Sequence, residues 1–565
     1  SVTDSLGNLY ILGQIHWDSD WSQDEEPLCW QVTTSNTMLL VAKISPEGEM
    51  VWKKTFGNTA NGTFAYDIKP MGDTGFAVMF QDCVLERHYM FYRCWVDSVY
   101  RDLPHPLLEG QPTSGMGYEL FDGPLTVYMA FDFDGNITEQ HLLQMSFVDS
   151  DGHNVFIRPY VDTLVYMVNP WNATFDFDVE GNIYVCYMLP ILPRANSFYF
   201  NDTLASYRYW VDHRFVGEVP MGNSPKLWFP HMIKFSPHFD TLLAGRYVVQ
   251  DCDRRADSIN NIGSTIKYLK VNKSSNKLYL RNYIDYLFSV TENIVIDSNA
   301  NMILTIPRGY TRVGYVTVHD TNLLPVNLIN IRDSVLVPED YYTATYLDDI
   351  EFDSDSGLVF INGYFGSRNT RFFYNNEPLG IENKVCVLVF DENDLGLHSI
   401  LKFPCEKTSS GSYGFGNVKA KNNRVFTQSG YKYALYLPSG NHYIPSSQMG
   451  LALAIWDYQG NLIDGLDYHN TSKYSDTGPI SLADSTLYLI TRLAGPATFG
   501  EHTVYASPYR ATIAKYVDTS FMSVYRWPSP EAVDVAEQGK VSCYPNPARD
   551  VLSLDLGNEM LLQAT

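Results

Sequence analysis

The chain has 565 residues, of which 45% are hydrophobic and 14% aromatic, and Asp and Glu outnumber Lys and Arg by 64 to 40. The formal net charge of -24 repels a polyanion, and we find no basic stripe that would override it, which argues against nucleic acid as a partner. No run of 18 apolar residues occurs, so the sequence offers no membrane-spanning helix. Aromatic and β-branched residues suit a pleated, half-buried surface and favour an all-β fold.

The chain opens with a recurring kind of element, a hairpin with an Asp-, Gly- or Asn-rich turn. The first such turn lies at residues 4–8, and a second hairpin follows at residues 39–57, which read LLVAKISPEGEMVWKKTFG. Apolar positions alternate on both sides of Pro46 and Gly48, as expected of two antiparallel strands joined by a tight turn. Together the two hairpins predict one four-stranded antiparallel unit.

The same pair of hairpins recurs along the chain with changed residues. The predicted units lie at residues 1–57, 65–82 with 125–144, 174–189 with 231–248, 293–306 with 314–331, 348–365 with 384–403, 416–431 with 451–468, and 479–493 with 511–527. One further hairpin, at residues 266–284, has no partner in this scheme. Repeated four-stranded units without helical periodicity are typical of a β-propeller, so we predict seven blades over residues 1–527, with eight as the competing count.

The long segments between hairpins predict where binding occurs. In a meander the turns within hairpins share one face of the propeller, and the connections between hairpins share the other. Long loops on a rigid scaffold are where function concentrates. These insertions are rich in aromatic residues, and we predict a binding rim that contains Trp17, Trp21, Trp95, Trp210 and Trp228.

Eight cysteines in a chain of this length make neither a disulfide scaffold nor a metal cluster, and no C-x-x-C pair occurs. Two pairs stand at hairpin spacing, Cys83 with Cys94 and Cys386 with Cys405. Each pair could form a disulfide in an oxidising compartment or remain as two buried thiols, and the sequence leaves both options open.

Catalytic and metal-binding motifs are scarce. The turn that begins at Asp176 resembles the start of a calcium loop, but its twelfth position is Tyr187 where a bidentate carboxylate is required. We therefore interpret the Asp-rich turns as structural and predict neither metal nor cofactor. Asp18, Asp20 and Asp24 stand among the tryptophans of the first insertion, which leaves a glycan-active enzyme open as an alternative.

Two segments resemble known families. Residues 39–57 and 451–468 resemble β-propeller repeats of secreted Bacteroidetes proteins, which implies the fold and no catalytic residue. Residues 541–556, VSCYPNPARDVLSLDL, resemble the start of the type A C-terminal sorting domain of type IX secretion cargo. The residues that carry this second resemblance are Tyr544, Pro545, Asn546, Pro547 and Asp550.

The second resemblance implies a destination and partners. We expect a propeller at residues 1–527, a linker at 528–540 and the incomplete beginning of a sorting domain at 541–565. The implied partners are the type IX outer-membrane translocon and its accessory proteins, and the implied location is the cell surface or the medium of a Gram-negative bacterium. The expected role is binding, adhesion or scaffolding, with glycans or surface proteins as ligands. A structural subunit of a larger outer-membrane assembly is a further alternative.

The sorting resemblance generates the first prediction. Deleting residues 541–565 and anything that follows them is expected to strand the chain in the periplasm, because the translocon would lose the segment it recognises. Cell fractionation and surface proteolysis measure this. A deletion confined to the linker at residues 528–540 is the control and should be exported. Normal surface delivery of the longer deletion would contradict the sorting assignment.

Overall fold

The computed structural model describes twenty-seven segments of the chain. They are residues 1–16, 37–57, 64–83, 91–96, 99–104, 124–143, 145–149, 154–155, 173–190, 195–200, 203–207, 228–248, 251–252, 263–288, 292–297, 302–306, 309–335, 342–368, 370–382, 384–408, 417–443, 450–468, 476–483, 486–499, 502–517, 543–544 and 551–552. Within these segments the only helical element is a 3-10 turn at Pro237–Phe239, and no helix there could cross a bilayer.

All other regular elements in the described segments are β-strands. Those of the first half are β1 (Val2–Thr3), β2 (Leu9–His16), β3 (Thr37–Ile44), β4 (Met50–Gly57), β5 (Phe64–Pro70), β6 (Phe76–Cys83), β7 (Phe91–Val96), β8 (Val99–Pro104), β9 (Pro124–Phe131), β10 (Ile137–Leu143), β11 (Met145–Asp149), β12 (Asn154–Val155), β13 (Thr174–Phe177), β14 (Ile183–Pro190), β15 (Ala195–Phe200), β16 (Thr203–Tyr207), β17 (Trp228–Phe235), β18 (Leu242–Tyr247), β19 (Asp251–Cys252), β20 (Gly263–Asn272) and β21 (Lys277–Phe288).

The strands of the second half continue the same pattern. They are β22 (Glu292–Asp297), β23 (Met302–Ile306), β24 (Gly309–His319), β25 (Pro325–Asn330), β26 (Arg332–Val335), β27 (Tyr342–Asp353), β28 (Leu358–Arg368), β29 (Thr370–Tyr374), β30 (Glu377–Pro378), β31 (Lys384–Asp391), β32 (Leu397–Lys402), β33 (Cys405–Thr408), β34 (Val418–Lys421), β35 (Arg424–Leu437), β36 (Gly440–Tyr443), β37 (Gly450–Trp456), β38 (Leu462–Tyr468), β39 (Asp476–Ala483), β40 (Thr486–Phe499), β41 (His502–Val517), β42 (Cys543–Tyr544) and β43 (Val551–Leu552).

The fold is an all-β propeller of seven four-stranded antiparallel blades, as the repeats predict. Blades 1 to 6 consist of β1-β2-β3-β4, β5-β6-β9-β10, β13-β14-β17-β18, β20-β21-β24-β25, β27-β28-β31-β32 and β34-β35-β37-β38. For blade 7 the described residues supply β39, β40 and β41. The predicted end of the propeller at residue 527 and the predicted linker lie outside the described residues.

One predicted unit is assigned to the wrong hairpin. The hairpin at residues 266–284, left without a partner by the sequence, forms β20 and β21, which pair with β24 and complete blade 4. The hairpin at residues 293–306, predicted as half of that blade, forms β22 and β23 in a small separate sheet with β19. The competing eighth blade is therefore wrong, because its hairpin belongs to blade 4.

The core consists of apolar clusters between neighbouring blades. Alternate residues of one strand point to opposite faces of its sheet. In β6, Phe76, Val78 and Phe80 pack toward blade 1, whereas Ala77 and Met79 pack toward blade 3. Equivalent clusters fill the interfaces between blades 3 and 4, 4 and 5, 5 and 6, and 6 and 7. Each central strand is buried on both faces, which explains its near-continuous apolar sequence.

The ring closes between blades 7 and 1. The first strands of consecutive blades contact one another in the order β1, β5, β13, β20, β27, β34 and β39, and β39 contacts β1 again. Polar contacts reinforce this last interface. The hydroxyl of Tyr488 donates to the carbonyl of Gly7 at 2.8 Å, and Lys515 Nζ donates to the carbonyl of Pro46 at 2.7 Å. Closure leaves no blade at a free end of the stack.

The Asp-rich turns are structural, as predicted. Asp178 Oδ1 accepts the backbone N–H groups of Glu180 and Asn182, while its Oδ2 accepts the Asn182 amide at 2.8 Å and the Tyr184 hydroxyl at 3.0 Å. The same set of bonds is repeated at Asp4, and most of it at Asp132. The carboxylate thus substitutes for turn backbone and fixes the first residue of the next strand.

Removing one such carboxylate should destabilise the propeller. Asp178→Ala removes the carboxylate that accepts the buried Tyr184 hydroxyl and two backbone N–H groups of the turn, and the free energy of unfolding should fall by about 2–3 kcal/mol. Asp134→Ala, at an exposed position of the corresponding turn in blade 2, should change it by less than about 0.5 kcal/mol. Thermal and denaturant unfolding followed by circular dichroism compare the two. Equal effects would contradict a structural role for the carboxylate.

Candidate functional site

A network of charged side chains lies where the first strands of the blades meet. Glu351 on β27 bridges two lysines of the neighbouring blades, Lys270 on β20 and Lys419 on β34, each at 2.6 Å. These side chains are only 14–21% exposed. Each stands two or three residues before the first turn of its blade, so the network lies toward the face of the short turns. We call it the axial network.

Two aspartates of the axial network join blades through the backbone. Asp176 Oδ2 accepts the N–H of Val271 from the next blade at 2.8 Å, and Asp349 Oδ2 accepts the N–H of Val418 at 3.1 Å. Each of these aspartates also accepts the N–H of the residue that follows it. Because one carboxylate serves two first strands, the register between neighbouring blades is fixed at the axis.

The pKa values of the axial carboxylates diverge. Burial raises the pKa of Asp67 and outweighs the opposing effect of Lys69, whose ammonium lies 3.1 Å away. Burial alone would also raise the pKa of Glu351, but its two lysines prevail and lower that pKa to about 2. Tyr268 lies between cations, with Lys69 Nζ 4.2 Å and the Arg281 guanidinium 5.8 Å from its ring centre.

The chemistry of the axial network is that of a structural contact between blades. Its carboxylates have cationic or N–H partners, and the lysines that bridge at Glu351 are held by the same oxygens that they neutralise. Within the described segments no group of three or more His, Cys, Asp or Glu side chains could hold a metal ion. We therefore assign this network to the scaffold.

The opposite face carries a second tier of sheets, which we call accessory sheets. Each pairs the segment before a blade with the insertion after that blade's second strand. The accessory sheets are β12-β11-β15-β16 for blade 3, β19-β22-β23 for blade 4, β26-β29-β30 for blade 5 and β33-β35-β36 for blade 6. In blade 2 the insertion hairpin β7-β8 pairs with β4 and widens the sheet of blade 1. The insertions thus form ordered sheets above the propeller.

The accessory sheet of blade 6 has the most fully described side chains. Its central strand is the last part of β35, which continues out of the blade beyond Tyr433, a residue with a φ of 69°. Leu435 and Leu437 are buried toward the blade, whereas Tyr436 between them is 48% exposed. In β36, Tyr443 is 72% exposed. Alternation in both strands therefore presents tyrosines on the outward face.

On the inward side of that sheet, Asp467 contacts two further side chains. Asp467 of β38 accepts the buried Tyr431 hydroxyl at 2.8 Å and lies 3.2 Å from His442 Nδ1. The Asp467 side chain is 7% exposed and that of His442 is 42% exposed. This contact orients the imidazole and fastens β36 to the outer strand of the blade. A carboxylate that orients a half-exposed imidazole is also the geometry of an acid–base pair.

The predicted tryptophan rim is only partly described. Trp95 lies in β7, where its backbone pairs with Gly57 and Tyr100, and Trp228 begins β17, where it pairs with Pro190. These two belong to the sheets of different blades. Trp17, Trp21 and Trp210 lie outside the described residues, as do Asp18, Asp20 and Asp24.

Of the two options left open for Cys386 and Cys405, the structure has the second, since both are buried free thiols. Cys386, on β31 of blade 5, lies in the cluster between blades 4 and 5, whereas Cys405, on β33 of the blade 6 accessory sheet, lies in the cluster between blades 5 and 6. Burial raises the pKa of Cys405 to about 12. Cys83 and Cys94 lie in β6 and β7, and their side chains are outside the described part of the structure.

The sorting segment is described at two places. Tyr544 pairs with Val551 in the two-stranded sheet of β42 and β43. Pro545, Asn546, Pro547 and Asp550 lie outside the described residues, and the sorting role of the segment stays a prediction.

Sequence reasoning missed the axial network and the tyrosine face. Lys270, Glu351 and Lys419 each lie two or three residues before the first turn of a blade, but Lys270 belongs to the hairpin that the prediction left without a partner, so the predicted units do not align all three. Tyr436 and Tyr443 flank a tight turn in YLPSGNHY, a hairpin signal within a predicted insertion.

The sequence matches no protein family model and no curated protein. Comparison with solved structures finds distant similarity, for example to a Dos1 propeller, at 8% identity and a TM-score of 0.32 over 89% of this chain and 90% of that one. An ulvan lyase, a polysaccharide lyase bound to a GlcA(1-4)Rha3S saccharide, has 11% identity and a TM-score of 0.30 over 70% and 87%. A NanB sialidase from Streptococcus pneumoniae has 10% identity and a TM-score of 0.22 over 91% and 79%.

The axial network generates a pH-dependent prediction. Glu351→Gln removes the carboxylate that bridges Lys270 and Lys419, so the free energy of unfolding should fall by about 3 kcal/mol near neutral pH. The contribution of Glu351 is complete above the unfolded-state pKa of about 4.3 and is lost as pH falls through its folded pKa of about 2.

Unfolding followed from about pH 6 down to about pH 2 should therefore show the stability difference between wild type and Glu351→Gln shrinking with acid. Glu377→Gln, at an exposed strand end, is the matched control and should follow the wild type throughout. A difference that stays constant over this range would contradict the ion-pair account.

Proposed function

We propose that the protein is a secreted or cell-surface binding module, exported as type IX secretion cargo, that holds its ligand on the insertion-bearing face. Glycans and surface proteins are the ligand classes considered. The axial network and the interblade clusters serve as a rigid scaffold for that face. The sorting segment supplies the export signal.

The accessory sheets carry this proposal. An insertion needs neither regular structure nor a partner loop to connect two strands, yet those of blades 3 to 6 pair with the preceding connection into sheets. A rigid platform loses little conformational entropy when a ligand binds, which favours affinity. The opposite face has compact turns whose polar groups are bound within the turns themselves.

Binding to the surface of the producing bacterium, or to glycans and proteins extracted from it, tests the proposal. The double variant Trp17→Ala, Trp21→Ala in the first insertion should weaken binding by about tenfold, since aromatic anchors dominate binding surfaces. Trp52→Phe is the control, because Trp52 donates its indole N–H to the Phe133 carbonyl at the short-turn face. Equal loss in both variants, or no binding by the wild type, would contradict the proposal.

A glycan-active enzyme is the second candidate, and the contact between His442 and Asp467 favours it. An imidazole oriented by a carboxylate can move a proton during cleavage of a glycosidic bond. Release of reducing ends from a polysaccharide panel tests this role. Activity abolished by His442→Ala and retained by Asp18→Asn, Asp20→Asn, Asp24→Asn would assign the chemistry to blade 6. The reverse pattern would assign it to the first insertion, and no release from any polysaccharide would leave binding alone.

A further inference from the structure

The outward face of the blade 6 accessory sheet carries a particular set of side chains. Tyr436 stands opposite Asn441 in the register of β35 and β36, and Tyr443 stands opposite Ala434, so the two tyrosines are diagonal neighbours on one face. Diagonal neighbours have their Cβ atoms within about 7–8 Å, close enough for both rings to contact one ligand. Asn441 is exposed beside them.

An exposed carboxylate belongs to the same sheet. In β33, Cys405 is buried and pairs with Leu435, and the next residue, Glu406, is exposed at the point where the pairing with β35 shifts register. Lys384 Nζ binds the carbonyl oxygens of Cys405 and Glu406 at 2.6 and 3.0 Å, which holds this strand in place. The exposed side chains of this sheet therefore include two aromatic rings, an amide and a carboxylate.

The inward side of the same sheet is firmly anchored. Leu437 packs over Gly465 of β38, where an added Cβ would lie 2.5 Å from Leu437 Cδ2. His442 is held by Asp467, and the N–H of Tyr436 donates to the carbonyl of Pro404 at 2.7 Å. The hairpin is fixed from below, so the exposed rings above it are presented on a rigid support.

We infer that Tyr436, Asn441, Tyr443 and Glu406 form a binding subsite for a neutral glycan chain. Tyrosine rings offer flat apolar faces to the C–H groups of a sugar ring, and the amide and carboxylate supply a donor and acceptors for its hydroxyl groups. The exposed carboxylate and the net charge of -24 oppose an anionic ligand such as a uronate polymer or nucleic acid. The inference rests on the proposed binding function and names its ligand class.

Affinity electrophoresis and calorimetry of the full chain with xylan, mannan and laminarin test the subsite, with alginate as the acidic comparison. The double variant Tyr436→Ala, Tyr443→Ala should bind the preferred neutral polysaccharide about tenfold more weakly. The double variant to Phe should retain most of the affinity, because it keeps the rings. Leu6→Ala, which removes a 75% exposed side chain at the short-turn face, is the control and should not change binding.

Several results would overturn the subsite. Glycan binding that survives the Ala variant and is lost in Trp17→Ala, Trp21→Ala would move the site elsewhere and leave the proposed function intact. Preference for alginate, or binding of an extended peptide or surface protein with no polysaccharide bound, would reject the neutral-glycan class alone. A wild-type chain that binds neither polysaccharides nor surface proteins would overturn both the subsite and the proposed function.

Discussion

The structure depends on the burial of both faces of each blade. A four-stranded sheet whose central strands are apolar on both faces exposes unfavourable surface to water on either side. Its folding free energy becomes favourable only when one neighbouring sheet covers each face. Blade 2 shows this through β6, whose alternate residues belong to two different clusters. A stack with this requirement has no stable end, which is why contact between β39 and β1 is as necessary as any contact within a blade.

Much of this architecture could be read from the sequence. The alternation in residues 39–57 and its recurrence predict the hairpins, and the Asp-, Gly- and Asn-rich turns predict where their strands end. Strands that are apolar on both faces predict that the sheets stack. The error at blade 4 has a physical cause. The hairpin β22-β23 alternates and turns like a blade hairpin because accessory sheets obey the same rules of strand pairing, and local pattern cannot tell which tier a hairpin joins. The difference that separates them is length, since β20 and β21 have 10 and 12 residues whereas β22 and β23 have 6 and 5.

The functional features were harder to predict because they depend on contacts between distant residues. Glu351 meets Lys270 and Lys419 from separate blades, and each of the three residues alone looks like a solvated charge beside a turn. The free thiols of Cys386 and Cys405 show the opposite problem, since the two residues are near in the chain but their strands, β31 and β33, belong to different sheets. Sequence spacing indicates which residues are close along the chain, whereas the arrangement of the sheets decides which side chains meet.

The accessory sheets follow from the position of their two loops. The connection that enters a blade ends at its first strand and the insertion leaves from its second, and these strands are hydrogen-bonded neighbours about 5 Å apart. The two loops therefore start side by side and can continue the same hairpin past the rim, as β26 and β29 do. Such a pair of loops forms one structural unit. In blades 3 to 6 a longer insertion is therefore stabilised by a longer entering loop, so the two loops of a pair should change length together and could be exchanged between propellers as units without disturbing the ring beneath.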